Sequence, residues 1–310
     1  MSAERARAPL RSLLFVPGDS ERKQARALAS AADALILDLE DAVDPAQLNA
    51  ARAHIGRLLG SRPAGQPPEL WVRVNTPASG LMREDLESVC TFRMPDGIVL
   101  PKISAAEEIT EVAAQLERLE SHLAAAPGST RIVVIATETP KGLLVLPRYP
   151  AVLEAAPALR ARLAGLTWGA EDLSTAIGAL GKRDATGAFT FTFQLARSAC
   201  LLAAAALGVQ PIDGVHTDLR DAPGLERELG EARRDGFTGK LAIHPDQVGA
   251  INAAFTPTDA EREHARRVVA AFAARPGAGV ASLDGQMIDR PHLIQAQRIL
   301  AAAPPDKAKT

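Results

Sequence analysis

The chain has 310 residues, 47% of them hydrophobic, with a formal net charge of -2, enough to bury a full core and too balanced for a nucleic-acid surface. Its two cysteines, Cys90 and Cys200, stand far apart and outside any metal-ligand spacing, which argues against a disulfide framework and for a reducing cytoplasm. No apolar run approaches the roughly 20 residues a membrane helix needs, and Met1–Arg11 carries Arg5, Arg7 and Arg11 with no apolar h-region, so a soluble cytoplasmic protein without a membrane partner is expected.

Eight short apolar runs follow in order: Ser12–Val16, Ala34–Asp38, Leu70–Asn75, Gly97–Pro101, Arg131–Thr137, Leu163–Trp168, Pro211–Val215 and Lys240–His244. Each is bounded by Gly, Pro or charge, and many are rich in Val, Ile and Leu, as strands covered on both faces of a parallel sheet are. Helical patterns lie between them, among them Ser20–Ser30, Ala105–Ala124 and Gln194–Leu207, the last ending at Gly208. The count is that of a (β/α)₈ TIM barrel, although an open doubly wound sheet fits the same alternation. The rhythm stops near Pro257. Asp259–Ala274 reads as a helix, Gly277–Gly285 as a loop and Pro291–Ala302 as a last helix, with a polar, fraying end from Pro304 to Thr310. This divides the chain into a barrel domain, 1–255, and a C-terminal helical extension or lid, 256–310.

Barrel chemistry sits at the C-terminal strand ends and the loops that follow them. Those positions hold Asp19, then Asp38, Glu40 and Asp41, then Arg73 and Asn75, Lys102, Glu138, Glu171 and Asp172, and His244. One charge at a strand end commonly opens a solvated loop, but six or seven converging on one rim point to an acidic, cation-holding pocket. Glu138 and Asp172 are the candidate ligands of a hard cation such as Mg²⁺, which takes oxygen donors and keeps several waters. No paired His or Cys arrangement favours zinc. The plainer readings are that Glu138 caps the turn before Pro140 and that Asp172 is a helix N-cap before Leu173. Arg73, inside the apolar stretch Trp71–Asn75, needs an anionic partner. That partner is either one of the nearby acids or a substrate carboxylate gripped by both arms of the guanidinium. Arg22 and Lys23, next to Gly18 at a helix start, suit phosphate or a solvated face. Val16-Pro17-Gly18-Asp19-Ser20 is no Walker loop, and no GxGxxG follows a strand, so nucleotide hydrolysis and Rossmann redox chemistry lack support.

The ordered set Leu14–Ser20, Leu37–Val43, Val72–Asn75, Leu100–Lys102, Glu138–Gly142, Gly169–Leu173 and Ile243–Pro245 resembles the HpcH/HpaI aldolase superfamily, in the branch of the citrate lyase beta subunit and its stand-alone relatives. Gly285–Asp289 is similar to the lid of malyl-CoA and citramalyl-CoA lyases. The resemblance implies a (β/α)₈ barrel holding Mg²⁺ on Glu138 and Asp172, with Arg73 on an α-keto acid. It implies coenzyme A, as part of the substrate, near Phe15, Gly18, Arg22, Lys23 and Lys102. Asp289 would exchange a proton at the acyl-CoA carbon, reaching a neighbouring subunit's site, and Glu40 and Asp41 would order waters. The implied activity is carbon–carbon cleavage of a short β-hydroxyacyl-CoA to an acyl-CoA and an α-keto acid, by a homo-oligomer of three or six subunits. Reverse condensation and thioester hydrolysis share that site. Thr137–Pro140 and Trp168 depart from the family's commonest wording. A coenzyme A-independent hydroxy-keto acid aldolase, an inactive binding subunit and a salt-bridged rim without metal are the rival readings.

Overall fold

The computed structural model describes residues 9–63 and 65–302. The arginine-bearing start before Pro9 and the polar end from Pro304 lie outside them.

Eight parallel strands close into a barrel: β1 Ser12–Pro17, β2 Ala34–Asp38, β3 Glu69–Arg73, β4 Gly97–Leu100, β5 Arg131–Ile135, β6 Leu163–Thr167, β7 Gln210–Asp213 and β8 Gly239–Ala242. β8 pairs with β1, which leaves no edge and excludes the open-sheet alternative. Alternate residues of the strands point inward, and Leu13, Ile36, Trp71, Val99, Val133, Ile135, Ile212 and Leu241 fill the interior as one cluster. The indole of Trp71 takes the space in front of β4, where a Cβ on Gly97 would lie 2.2 Å from its ring, so only glycine fits opposite. Six strands stop one or two residues short of the apolar runs, because residues such as Asn75, Pro101 and Thr137 have already turned off the ladder toward the rim.

The outward face of β7 and β8 carries charge rather than apolar side chains. Lys240, buried between sheet and helices, lies 3.0 Å from Asp213 and 3.3 Å from Glu228. Arg197 and the indole nitrogen of Trp168 also donate to Asp213. Burial pushes Asp213 up, but Lys240 and then Arg197 outweigh it and hold the carboxyl below its ordinary range.

Residues 10–251 form one compact unit, and the described residues from 252 on belong to another. The second contains the helix Asp259–Ala273, a two-stranded antiparallel sheet of β9 Val280–Leu283 and β10 Gln286–Asp289, and the helix Arg290–Ala302. Thr258 and Glu261 cap the first helix reciprocally. Ala265, Val268, Phe272, Ala281, Ile288 and Ala296 make its own small core. The loop expected over Gly277–Gly285 is therefore corrected to a β-hairpin. Asp284 and Gly285, at φ 53° and 78°, form its two-residue connection, where both central residues need positive φ. Among the described residues no helix is long and apolar enough to cross a membrane.

Candidate active site

The site is built at the C-terminal ends of neighbouring strands, starting from an ion pair that the sheet register dictates. Asp38 and Arg73 are partners across β2 and β3, so their side chains rise from the same face side by side. Arg73 Nε and Nη2 donate to the two oxygens of Asp38, each at 2.6 Å. The same carboxylate accepts the backbone N–H groups of Glu40 and Ala42, both at 3.1 Å, which folds the turn that follows β2. Arg73 Nη1 lies 2.8 Å from Glu40 Oε2, and the guanidinium stacks over the Phe15 ring at 4.8 Å. Surrounding acids, Asp38 foremost, keep Arg73 charged despite its burial. Two of its five N–H groups are thus committed to Asp38, and Nη1 faces Glu40 as an ion pair.

Lys102 follows β4 with φ 53°, the left-handed region that side-chain-bearing residues rarely occupy. Its backbone N–H donates to Glu138 Oε2 at 2.6 Å. Its ammonium lies 2.5 Å from Glu40 Oε1, 2.8 Å from Asp41 Oδ2 and 3.3 Å from Asp172 Oδ1.

Glu138 is buried just past β5. Burial first, and the Asp172 carboxylate second, push its carboxyl well above the ordinary range, only partly opposed by the Lys102 amide and Arg73. It caps nothing. Thr139 accepts from Gly142 N and starts the helix Pro140–Val145, which corrects the reading of Glu138 as a turn cap. Asp172 is not an N-cap either: Gly169 holds that position, and Asp172 lies in the first turn of the helix Ala170–Ala176, where the helix end favours negative charge. A Cβ on Gly169 would stand 2.6 Å from Glu138 Cγ, so the carboxylate takes the space that any larger residue would fill.

Arg73, Glu40, Asp41, Lys102, Glu138 and Asp172 therefore meet in one cluster, with Phe15 against Arg73. Five carboxylates (Asp38, Glu40, Asp41, Glu138, Asp172) face two cations, Arg73 and Lys102, an excess of three negative charges when all are ionised. Among the described residues no group of three or more His, Cys, Asp or Glu forms a cage for a metal. The donor set fits Mg²⁺, which binds through one or two carboxylates and keeps water or substrate oxygens for the rest, and it does not fit zinc.

The first βα loop has a different arrangement. Gly18 N donates to Asp38 O at 2.9 Å, and a Cβ there would lie 2.4 Å from that oxygen, so this glycine permits close packing onto β2. Arg22 and Lys23 are exposed on the helix Glu21–Leu28 and make no ion pair among the described residues. In the second unit, His292 Nδ1 lies 2.5 Å from Asp289 Oδ1 and 3.2 Å from Asp289 N. The sequence reading left the partner of Arg73 open among the nearby acids, where the structure selects Asp38, and it missed His292 beside Asp289. The signals were an acid at the end of the neighbouring strand and a His three residues on at a helix start.

A closed parallel barrel with clustered acidic side chains and an oriented arginine on its C-terminal rim is the arrangement of a (β/α)₈ enzyme. The model of the HpcH/HpaI aldolase/citrate lyase family matches residues 11–245, and the chain belongs to that family. It is 35% identical over 309 residues to the mitochondrial citramalyl-CoA lyase of Homo sapiens, spanning 97% of this chain and 87% of the relative. It is 36% identical over 297 residues to the (3S)-malyl-CoA thioesterase of Cereibacter sphaeroides, spanning 95% of each. Among solved structures it is similar to CitE of Mycobacterium tuberculosis in complex with magnesium, acetoacetate and coenzyme A, with a TM-score of 0.72 and 33% identity over 96% of this chain and 99% of that one.

Proposed function

We propose that this protein is a Mg²⁺-dependent carbon–carbon lyase that cleaves a short β-hydroxyacyl-CoA, such as malyl-CoA or citramalyl-CoA, into acetyl- or acyl-CoA and an α-keto acid. The observation that carries the reading is the meeting of Glu138 and Asp172 on one rim, the first against the Lys102 N–H and the second against its ammonium, beside an arginine oriented by Asp38. Glu138 and Asp172 would hold the cation, which supplies Lewis acidity and a template for substrate oxygens. Arg73, aimed by Asp38, Glu40 and the Phe15 ring, grips the carboxylate or carbonyl end of the keto acid and stabilises charge as it grows there. Glu40 and Asp41 order the waters around it.

In the cleavage the substrate hydroxyl gives its proton to a water ordered by Glu40 and Asp41, its oxygen becomes the keto carbonyl, and the electrons of the broken C–C bond pass to the thioester as an enolate. Asp289 delivers one proton to the enolate carbon and is reloaded from water, so the proton lost from oxygen is matched by the one gained at carbon. We assign Asp289 to the site of a neighbouring copy, in a homo-oligomer of three or six chains. Exposed apolar residues on the helix Phe191–Leu207, Phe191, Leu195 and Leu202, are compatible with such contacts. Phe15, Gly18, Arg22, Lys23 and Lys102 would border the coenzyme A moiety, residues 256–310 would act as the lid of the 1–255 barrel, and two buried free thiols suit a cytoplasmic setting. The likeness to a (3S)-malyl-CoA thioesterase supports a second reading, water attack on the thioester in the same site.

One assay separates these readings. The protein is incubated with malyl-CoA, citramalyl-CoA or β-methylmalyl-CoA, with Mg²⁺ or EDTA, and keto acid and free thiol are followed separately. Keto acid without thiol identifies the lyase, thiol release the thioesterase, and no product from any of the three refutes both. Asp172→Ala abolishes Mg²⁺-dependent turnover; surviving activity would overturn the ligand assignment.

A further inference from the structure

Lys102 touches every carboxylate of the cluster that Arg73 does not neutralise. Its left-handed backbone turns the amide onto Glu138 Oε2 at 2.6 Å, while the ammonium spans Glu40, Asp41 and Asp172 from two other strand ends. Asp172 has no other ionic partner among the described residues. The two cations of the site differ in kind. Arg73 is buried, forked onto Asp38 and stacked on Phe15, so it stays where it is. Lys102 carries a point charge on a flexible stem, and its side chain is 23% exposed, with room to swing away.

We propose that Lys102 is a displaceable internal counter-ion: its ammonium competes with the divalent cation for Asp172, while its backbone amide keeps Glu138 aimed. Two positive charges within about 4–6 Å of one carboxylate oppose each other, so cation binding pushes the ammonium out. The lysine thereby lowers cation affinity and, in the cation-free protein, holds together carboxylates that would otherwise repel. As a positioning residue it sets how tightly the metal is held. The inference rests on Glu138 and Asp172 being the cation's ligands, and the test keeps the two apart.

Mn²⁺ binding to the whole chain is measured by electron paramagnetic resonance for the wild type and the variants Lys102→Met, Lys102→Arg and Asp172→Asn, with melting temperatures recorded with and without Mn²⁺. The wild type binds Mn²⁺ at a site that Asp172→Asn abolishes. Lys102→Met binds it at least fivefold more tightly, melts lower without cation and gains more on adding it; Lys102→Arg, which keeps the charge on a stiffer group, binds no more tightly than wild type. Should the methionine variant not fold, Lys102→Gly keeps the amide, accepts the positive φ and shows the same tightening. Equal or weaker binding once the ammonium is gone, with Asp172→Asn still abolishing it, overturns the counter-ion role alone. Retained binding in Asp172→Asn overturns the ligand assignment and this inference with it.

Discussion

Replacing Asp38 with Asn tests the ion pair on which the site is built. Asp38 is fully buried and accepts four hydrogen bonds: two from Arg73 and one each from the N–H groups of Glu40 and Ala42. Asparagine keeps the shape but turns one acceptor into a donor that faces an N–H group, and it removes the charge. Breaking one side of a buried pair costs about 3–5 kcal/mol, because the other charge is left uncompensated. Here Glu40 still faces Arg73 Nη1 at 2.8 Å, which sets the expectation at the low end, about 3 kcal/mol. For a unit of this size that is a fall in melting temperature on the order of 10 °C. Trp71 and Trp168, the chain's two tryptophans, both lie within residues 10–251, so urea unfolding followed by their fluorescence reports on the barrel. The midpoint falls with the slope unchanged, and kcat/KM falls with it because Arg73 loses its aim. A loss under about 1 kcal/mol, the range of exposed pairs, with kinetics intact would refute the reasoning.

Gly169→Ala places a Cβ 2.6 Å from Glu138 Cγ, so the carboxylate must shift. We expect at least tenfold weaker Mg²⁺ activation in a protein that still folds, read from turnover against Mg²⁺ concentration; unchanged activation removes Glu138 from the ligand set. Asp213 is held below its ordinary range, so its stabilisation is present above the unfolded carboxyl value and is lost as pH falls through the lowered one. Asp213→Asn therefore melts well below wild type at pH 7, and the gap narrows below about pH 4; a gap independent of pH contradicts this assignment. Asp289→Asn lowers kcat by two orders of magnitude or more with little change in melting temperature; a loss of stability matching the loss of activity shows a helix-terminal role shared with His292 instead.

The barrel was legible in the sequence because strands buried on both faces are continuous apolar runs, and Ala34–Asp38 reads the same in both. Arg73 was half legible. Its place inside an apolar strand demanded an anion, but the identity of that anion depends on register, and one sequence carries no register. The structure puts Asp38 opposite, which identifies the anion that the buried guanidinium required. The β9–β10 hairpin was hidden for another reason. Four-residue strands with Val280 and Met287 exposed show no clean alternation, although Asp284-Gly285 carried a turn signal.

Lys102 shows where reading by residue type stops. Beside a thioester pocket a lysine suggests a phosphate, yet this one turns its amide to Glu138 and its ammonium to three other acids, because a positive φ aims both groups into the same cluster. An excess of negative charge is what lets a site attract a divalent cation, and it is also what makes the empty site hard to fold. A second immobile arginine would solve the folding problem by cancelling the attraction. A tethered, movable ammonium solves it while leaving the attraction available, which is why the two cations on this rim are of different kinds.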